Sequence, residues 1–385
     1  MTRRYVTNLH PDNLCAGALV HAALARPECL PNPAVGCLLI DLNGTLLGQG
    51  HTQRAGGPHA EIMALRDAQA QGHPVIGATA YVTLEPCSHH GRTGPCCDAL
   101  IAAGIKKVVA SIADPNPLVS GQGFERLRAA GVEVEVLATD DPLAIESREL
   151  NIGFFSRMVR KTPWVRMKVA ASLDGTTALL NGASQWITSP AARADGHAWR
   201  ARACAVLTGI GTVLHDSPRL DVRLVETPRQ PHGVVVDSDL RTPVDAPLFI
   251  AGRAVFIYAA AQNGIRKAAL EAAGATVIYL PDNRSDGSPT DKVDLAAMMR
   301  DLGNREINEL HVEAGHKLNG SLIREGLVDE FLIYLAPKLV GEGAGMADFG
   351  PLTELAGALP LEFKSTAMVG PDLRILARVT GRDDF

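Results

Sequence analysis

The chain has 385 residues, which is too long for one ordinary hydrophobic core and predicts two domains. Hydrophobic residues make up 46% of the sequence and charged residues 21%, as in soluble globular proteins, and a net charge of −5 excludes a global basic field for nucleic acid. No apolar run approaches the roughly 18–20 residues that a membrane-spanning helix needs.

Two features bear on the compartment. MTRR followed by CAGALVHAALA imitates a signal peptide, but the intervening NLHPDN favours an amphipathic helix capped by Asp12 or Asn13, and we prefer the helix. The seven cysteines are odd in number and three of them fall within residues 87–97, which favours reduced thiols and a metal over a disulfide framework. Together these features predict a cytoplasmic protein.

The first 150 residues alternate between strand and helix patterns. Helices are predicted over residues 13–26, 59–71, 96–104 and 123–131, and strands over 35–40, 79–84, 106–112 and 132–137. Strands separated by helices of this length predict an α/β layer with parallel pairings.

Residues 139–163 carry no strand pattern and predict a linking helix. The expected domains are therefore residues 1–150 and 164–385, joined by a linker over 151–163. In the second domain we predict strands over 164–175, near 204–208, 233–237, 254–258 and 276–280, and over 309–315 and 330–340. Its predicted helices span 190–203, 292–302 and 317–326.

The segment EPCSHHGRTGPCCD (85–98) and the upstream HAEIMAL together carry an H-x-E, P-C, P-C pattern, which selects His59, Glu61, Cys87 and Cys96. Catalytic zinc takes about three protein ligands and leaves a position to water. A histidine opening one helix and a cysteine opening another can meet at one point, where the helix dipole favours a thiolate. The pattern is typical of zinc-dependent nucleobase deaminases, in which the glutamate moves protons and is not a ligand.

One departure leaves an alternative open. The common spacing is P-C-x-x-C, whereas eight residues separate Cys87 from Cys96 here. A closed structural zinc site would need a fourth protein ligand, such as His89 or Cys97. We favour the catalytic interpretation, because a closed structural site does not need a proton-transfer group such as Glu61.

Four segments together resemble the deaminase half of the bifunctional riboflavin-biosynthesis deaminase–reductase family: PNPAVGCLLI, HAEIMAL, YVTLEPCSHHGRTGPCCDALIAAGIKKVVAS and DPNP. The long cysteine spacing is the spacing of that family. The resemblance implies a cytidine-deaminase-like α/β/α fold, His59, Cys87 and Cys96 as zinc ligands, and Glu61 as the proton shuttle. Cys97 is then a neighbour of the ligands. The expected chemistry is hydrolytic removal of an exocyclic amine from a pyrimidine.

Polar residues around the motif are candidates for the deaminase substrate. Asn32 is either a hydrogen-bonding group for the ribose or ring, or a turn residue between two prolines. Arg92, with His89 and His90, suits a 5′-phosphate, because its guanidinium is a bidentate fork. The resemblance adds the remaining members of the predicted set, which comprises Asn32, His51, His89, Arg92, Asp114 and Asn116.

The second half is harder to interpret from its residues alone. GIGTV (209–213) follows a predicted strand, but the chain lacks a full G-x-G-x-x-G, and a standard Rossmann unit is rejected. In VEAGHKLNGSLI a strand is expected to end at Glu313 and a helix to begin near Leu318. The free amides there suit a pyrophosphate, and an ordinary helix start is the alternative.

Taken together, KVAASLDG, SQWITS, GIGTVLHDSPRLDVR, VVDSDLRTP and VEAGHKLNGSLI resemble the reductase half of the same family, whose fold is like dihydrofolate reductase. Cys204 departs from the family, where acidic residues are commoner. The resemblance implies NADPH contacts at Ala170, Trp186, Thr212, Asp216, Ser238, Gly315, His316, Lys317, Leu318, Asn319, Gly320 and Ser321. It implies phosphosugar substrate contacts at Lys168, Ser184, Arg200, Leu220, Arg223 and Glu313.

The 2′-phosphate of NADPH needs a cationic or hydrogen-bonding partner. Arg241 and Ser238 in VVDSDLRTP are the candidates, and Asp237 and Asp239 are expected to be paired or to point elsewhere.

These observations predict a bifunctional enzyme with one zinc ion and NADPH, acting on small phosphoribosyl pyrimidines, with no nucleic-acid or membrane partner. The resemblance also implies a homo-oligomer. One rival is a nucleoside or tRNA base deaminase with a non-catalytic C-terminal domain. The other rival is a zinc-stabilised binding module or regulatory homologue without activity, against which the intact His59, Glu61, Cys87 and Cys96 argue.

Overall fold

A computed structural model describes residues 11–88, 94–117, 119–283 and 289–385. The chain divides into two compact units, residues 1–160 with Phe385 and residues 161–384. Within the described ranges, no helix combines the length and the apolar character that crossing a bilayer requires.

The first unit alternates helices and strands much as the sequence predicts. Its helices are α1 (Pro11–Cys29), α2 (Ala60–Ala70), α3 (Cys96–Ala102), α4 (Gln122–Ala129), α5 (Pro142–Leu150) and α6 (Ile152–Arg160). Its strands are β1 (Gly36–Ile40), β2 (Leu46–His51), β3 (Thr79–Val82), β4 (Lys107–Ala110) and β5 (Glu133–Val136). The predicted N-terminal helix is confirmed over Pro11–Cys29, and Asp12 and Asn13 lie inside this range.

The strands form one sheet in the order β2-β1-β3-β4-β5. β3, β4 and β5 are parallel, as expected. The expectation of parallel pairing was wrong for β1, which is antiparallel to both β2 and β3. The cause is β2, a strand that the sequence analysis did not predict and that returns the chain beside β1 before α2 begins.

Helices cover both faces of this sheet. On one face, Ala64 of α2, Leu100 of α3 and Leu127 of α4 pack with Leu39 in a buried cluster. On the other face, α1 packs against Leu38 and Ile40. Because successive strand residues point to opposite faces, the run VGCLLI serves both layers, and the unit is a three-layer α/β/α sandwich.

The predicted linking helix is two helices, α5 and α6, which meet at Asn151. The buried Asn151 side chain accepts a hydrogen bond from the Ala34 amide (2.7 Å) and donates to the Ala34 carbonyl (2.9 Å). This pair of bonds ties the segment to the start of β1.

The second unit contains one large sheet and flanking helices. Its helices are α7 (Pro190–Arg202), α8 (Ile210–Asp216), α9 (Gly264–Ala272), α10 (Leu295–Asn304) and α11 (His316–Arg324). Its longer strands are β6 (Trp164–Ser172), β8 (Ala205–Gly209), β9 (His232–Val236), β10 (Val255–Ala259), β11 (Ala275–Tyr279), β14 (Glu309–Val312), β15 (Glu330–Ala336), β17 (Leu361–Val369) and β18 (Asp372–Val379). Two short pairs join β7 (Ala178–Leu179) to β16 (Gly343–Ala344), and β12 (Pro281–Asn283) to β13 (Pro289–Val293).

The nine strands are ordered β11-β10-β9-β8-β14-β6-β15-β18-β17. The run from β11 to β15 is parallel, and β18 and β17 close the sheet as an antiparallel hairpin. The hairpin, α8 and α9 were not predicted from the sequence. β14 ends at Val312 and α11 begins at His316 with Gly315 as its N-cap, both earlier than predicted.

A buried ionic cluster stabilises the centre of this sheet. Arg166 on β6 is almost fully buried and donates to Glu330 (2.8 Å) and Glu309 (2.9 Å) on the two neighbouring strands. Arg378 on β18 also donates to Glu330 (3.2 Å). Trp199 stacks on the Arg166 guanidinium at 4.5 Å.

Replacing Arg166 by methionine is therefore expected to lower the free energy of unfolding of this unit by about 3 kcal/mol, because two buried carboxylates each lose one of their charge partners. Glu330 keeps Arg378, and Glu309 keeps Arg202 at 3.3 Å. All three tryptophans, Trp164, Trp186 and Trp199, lie in this unit. Denaturant unfolding followed by tryptophan fluorescence thus reports on it alone. The control is Lys267→Met, which removes an exposed ion pair with Glu271 and is expected to cost about 0–1 kcal/mol. Equal losses in both variants would contradict the prediction.

Candidate metal centre and reductase site

Three potential metal ligands meet at one edge of the first sheet. His59 is the N-cap of α2, Cys87 follows β3, and Cys96 is the first residue of α3. His59 Nδ1 lies 3.5 Å from Cys87 Sγ and 3.4 Å from Cys96 Sγ, and the three ligand atoms lie within 4.8 Å of one another. Tetrahedral zinc with ordinary bond lengths separates a nitrogen and a sulfur ligand by about 3.5 Å. The donor set and its spacing therefore fit zinc.

Glu61 lies in the first turn of α2, beside the ligands and almost completely buried. Burial, with a smaller contribution from Cys87, raises the pKa of its carboxyl group to about 7. A cation held by the three ligands would lower this pKa again, since it favours the charged form. A carboxyl group in this position can both take and return a proton near neutral pH.

Cys87 has the character of a thiolate ligand. Hydrogen bonds from the Cys96 thiol and from His59 lower the pKa of Cys87 from its ordinary value. The Cys96 amide also donates to Cys87 Sγ at 3.4 Å. These contacts favour a charged sulfur at the point where a metal ion would be held.

Cys97 points away from the three ligand atoms. Its buried thiol donates to the Pro86 carbonyl at 3.1 Å and lies 3.5 Å from the Gly123 carbonyl. Burial raises the pKa of this thiol to about 12. In the described part of the chain, no fourth histidine, cysteine or carboxylate joins the three-residue group, so a closed site completed by Cys97 is not supported.

The sheet topology brings several predicted substrate residues to the same edge. Asn32 precedes β1, His51 ends β2, and Asp114 follows β4, and the pairings Gly36↔His51 and Cys37↔Val82 place these strand ends together. A small pocket lies between Asp114 and the metal-ligand loop, and it is lined by Glu85, Pro86, Cys87, Ser88, Asp114 and Val119. His89, His90 and Arg92 lie outside the described residues.

The side chains of these candidates have partial local roles. Asp114 accepts a hydrogen bond from the Asn116 amide at 2.8 Å, which forms a tight turn. The His51 ring stacks on His21 with centroids 6.3 Å apart, and burial, together with His21, lowers the pKa of His51. Asn32 is partly buried in the turn before β1, and its main-chain amide donates a hydrogen bond to the Cys29 carbonyl (2.9 Å).

A second group of predicted residues meets at the carboxyl edge of the parallel strands in the other unit. Glu313 follows β14, Lys168 lies on β6, and Arg200 lies in the last turn of α7. Arg200 donates hydrogen bonds from Nε and Nη2 to the two oxygens of the Glu313 carboxylate. Lys168 Nζ lies 3.9 Å from the same carboxylate. Burial opposes ionisation, but Arg200 and Lys168 hold the pKa of Glu313 well below its ordinary value. Burial lowers the pKa of Lys168, and Glu313 partly offsets this effect.

Leu220 and Arg223 belong to the same group through their loop. Arg200 donates to the Asp221 carbonyl (2.8 Å), and Asp221 accepts from the Arg223 guanidinium at 2.5 Å. The Arg223 amide donates to His197 Nδ1 at 3.1 Å, and the pKa of His197 is lowered to about 4 by burial and by the two arginines. The sequence analysis missed His197, which lies one helical turn before Arg200.

Ser184 lies between β7 and α7, away from these contacts: no hydrogen bond among the described residues links it to Glu313.

The residues predicted to hold NADPH lie along the same edge. A side chain added at Gly211 would meet nothing within 4 Å, and one added at Gly315 would meet only Thr212 Oγ1, at 3.9 Å. The backbone at the starts of α8 and α11 is thus uncovered, as the close approach of a phosphate requires. Ala170 lies on β6 two residues beyond Lys168, on the same side of the strand.

Other members of that set have different surroundings. Trp186 is 63% exposed, with the Arg193 guanidinium 4.3 Å from its ring centroid, and Asp216 pairs with its neighbour His215. Asn319 donates to the Met346 carbonyl (2.9 Å), and any side chain at Gly320 would clash with the backbone of Asp348. Ser321 bonds within the helix to the Lys317 carbonyl, and Leu318 packs against Gly209. The contacts of Leu318, Asn319 and Gly320 position α11, so packing alone accounts for part of the predicted cofactor segment.

The VVDSDLRTP segment after β9 is arranged as expected for its acidic residues. Asp237 is fully buried and accepts hydrogen bonds from the amides of Arg241 (3.0 Å) and Thr242 (2.7 Å). Asp239 lies 3.9 Å from the Arg241 side chain, which is exposed. Ser238 is half-buried at the end of the strand.

Comparison with known proteins matches each unit to a protein family. Residues 6–112 match the cytidine and deoxycytidylate deaminase zinc-binding region, and residues 163–375 match the RibD C-terminal domain. The riboflavin biosynthesis protein RibD of Escherichia coli K12 is 44% identical over 372 residues, which cover 93% of this chain and 96% of that protein. The chain belongs to the RibD family.

Solved structures of the family have the same fold. RibD of Acinetobacter baumannii aligns with a TM-score of 0.84 at 36% identity, covering 95% of this chain and 98% of that one. A diaminohydroxyphosphoribosylaminopyrimidine deaminase/5-amino-6-(5-phosphoribosylamino)uracil reductase of Thermotoga maritima aligns with a TM-score of 0.79 at 29% identity, covering 96% and 98%. The predicted fold class is confirmed, and the protein is a bifunctional deaminase–reductase of riboflavin biosynthesis. A base deaminase with a non-catalytic C-terminal domain is not favoured.

Proposed function

We propose that the first unit removes ammonia from 2,5-diamino-6-(5-phosphoribosylamino)pyrimidin-4-one and that the second reduces the ribosyl chain of the product to ribityl with NADPH. The observation that carries the proposal is the meeting of His59, Cys87 and Cys96 beside the buried Glu61. The name of the Thermotoga relative, which specifies both reactions, supports the choice of substrates.

In the first unit, His59, Cys87 and Cys96 would hold one zinc ion, which when bound supplies a water of lowered pKa. Glu61 would take a proton from the attacking water and give it to the ring nitrogen, and it would then carry a second proton from the added oxygen to the leaving amine, which departs as ammonia. Asp114 lies near Cys87, across a small pocket, and is proposed to bind the part of the substrate that does not react. Asn32, His51, Asn116, His89 and Arg92 complete the proposed substrate set.

In the second unit, NADPH would supply the hydride. Glu313, Lys168 and Arg200 form a charged group whose excess positive charge suits a phosphorylated sugar. Lys168, whose pKa burial lowers, would give the proton to the sugar oxygen as the aldehyde carbon is reduced. Leu220, Arg223 and Ser184 are the other proposed substrate contacts. Glycine backbone at residues 211 and 315 leaves room for the cofactor phosphates.

The decisive test is incubation of the purified protein with the diaminopyrimidine, with and without NADPH. Ammonia is expected in both cases, and NADPH oxidation only after deaminated product has formed. Ammonia release without any NADPH oxidation would overturn the reductase assignment, and no ammonia release would overturn the deaminase assignment.

The exposed Arg241 side chain is our candidate for binding the 2′-phosphate of NADPH, with Ser238 as a hydrogen-bond donor. A charged hydrogen bond of this type contributes roughly 1.5–3 kcal/mol. Arg241→Ala is therefore expected to raise the Michaelis constant for NADPH by about 10–150-fold and to leave that for NADH almost unchanged. Arg266→Ala is a control for structural damage, because Arg266 binds the Leu240 and Thr242 carbonyls behind this segment. Equal weakening of both cofactors by Arg241→Ala would show a structural arginine instead.

We also place the protein in the cytoplasm as a homo-oligomer. All seven cysteines are described, and none is paired in a disulfide, as expected of a reducing compartment. Light scattering on the purified protein tests the oligomeric state, and a monomer mass would contradict it.

A further inference from the structure

Glu85 is a buried carboxylate to which neither reaction assigns a role. It lies in the loop after β3, two residues before the proposed zinc ligand Cys87, and only 6% of its surface is exposed. No lysine or arginine within the described ranges forms a salt bridge with it. A buried carboxylate without a cation must be stabilised by hydrogen bonds.

The partners of Glu85 are main-chain amides of one distant segment. Oε2 accepts from the amides of Asp114 (3.1 Å) and Gly121 (2.9 Å), and Oε1 accepts from the amide of Gly123 (2.8 Å). Asp114 opens this segment, and Gly121 and Gly123 lie at its far end, where α4 begins. One side chain thus holds both ends of the loop that carries Asp114 and Asn116.

Two further contacts hold the same junction together. A Cβ at Gly123 would lie 2.1 Å from the Pro86 carbonyl oxygen, so the start of α4 is packed directly against the metal-ligand loop. The Cys97 thiol lies between the carbonyls of Pro86 (3.1 Å) and Gly123 (3.5 Å). Both described ends of this loop, at Asp114 and at Gly121–Gly123, are therefore held against the segment that carries Glu85, Pro86 and Cys87.

We propose that Glu85 is a positioning residue for the deaminase, which sets the distance between the substrate-binding loop at Asp114 and the metal ligands at Cys87 and Cys96. It would act through the three amides that its carboxylate binds, and it lines the small pocket between Cys87 and Asp114. The proposal rests on the deaminase function given above and deepens it, because it names the group that holds the substrate-binding loop ready to bind the pyrimidine.

Glu85→Gln tests this role with little change of volume. A carboxamide has one accepting oxygen, so in either orientation its NH₂ group faces at least one of the three amides, and a donor then meets a donor. The loop should then lose its fixed position while the zinc ligands keep theirs. We expect the KM for the pyrimidine to rise about 10–100-fold, as for the loss of a hydrogen bond to a charged group. At saturating substrate, kcat should stay within about threefold of wild type.

Three readouts separate positioning from general damage. Zinc content should remain one ion per chain, reductase activity on supplied deaminated substrate should be unchanged, and hydrogen exchange at the Asp114, Gly121 and Gly123 amides should be faster than in wild type. The matched control is Glu125→Gln, which removes an exposed carboxylate from α4 and should alter none of them.

Several outcomes would overturn the proposal. An unchanged KM with unchanged exchange would show that the loop does not depend on Glu85. Loss of zinc from Glu85→Gln, or a fall in kcat alone, would mean that Glu85 supports the metal-ligand loop instead. A wild-type protein that binds zinc but releases no ammonia would refute the deaminase function itself. This result is seen without any substitution, so it can be distinguished from the outcomes for Glu85→Gln.

Discussion

Glu61→Gln is expected to keep its zinc and to lose about 10²–10⁴-fold in the rate of ammonia release. Glu61 lies beside the three ligand atoms but is not among them, so the metal site should survive. The side chain is buried, and glutamine fills nearly the same volume without being able to accept and return a proton. The measurements are ammonia release, metal content and NADPH oxidation on supplied deaminated substrate.

The reductase activity of the same variant serves as an internal control, because it belongs to the other unit. Glu146→Gln, which removes an exposed carboxylate from α5, is the matched substitution and should change none of the three measurements. Near-normal ammonia release from Glu61→Gln would remove Glu61 from the mechanism. Loss of zinc from it would make Glu61 a ligand.

The sequence correctly predicted that the candidate metal ligands His59, Cys87 and Cys96 lie close together. Two of these residues stand at helix starts, His59 before α2 and Cys96 at the first residue of α3, and short motifs mark these starts. A ligand set of this kind is defined by residue types and short spacings, so it can be recognised in the sequence without knowledge of the tertiary structure.

The hydrogen bonds of Glu85 could not be predicted from the sequence. Glu85 lies two residues before Cys87, but its partners are main-chain amides 29, 36 and 38 residues further along the chain. Backbone groups have no sequence signature. Only the fold reveals that the carboxylate is buried and what it binds.

The missed strand β2 has a related cause. Its sequence LLGQGH contains two glycines, which weaken a strand pattern. In the structure a Cβ at Gly48 would lie 2.3 Å from the Ala64 carbonyl oxygen, and one at Gly50 would lie 2.5 Å from the Ala64 amide nitrogen. The glycines are required because the backbone of α2 packs directly on this strand, a contact between distant residues.

The residues of the candidate reductase site could be predicted only through the family resemblance. Lys168, Arg200 and Glu313 are far apart in the sequence, and each alone resembles an ordinary surface charge. They meet because β6 and β14 are adjacent parallel strands and α7 ends nearby. Parallel strands place their carboxyl ends at one edge, but the order of the strands could not be inferred from the sequence.

The adjacent cysteines provide the sharpest test of the metal centre. Cys96→Ser and Cys87→Ser are expected to lose most of their zinc, because each removes a thiolate from a three-residue set whose atoms lie within 4.8 Å of one another. Cys97→Ser should keep one zinc ion per chain, since a serine hydroxyl can still donate to the Pro86 carbonyl that the thiol binds. The two neighbouring variants differ by one position and receive the same substitution, so each controls for the other. Metal analysis after dialysis decides the matter, with reductase activity as the check on folding. If Cys97→Ser empties the site while Cys96→Ser retains zinc, the ligand assignment is wrong.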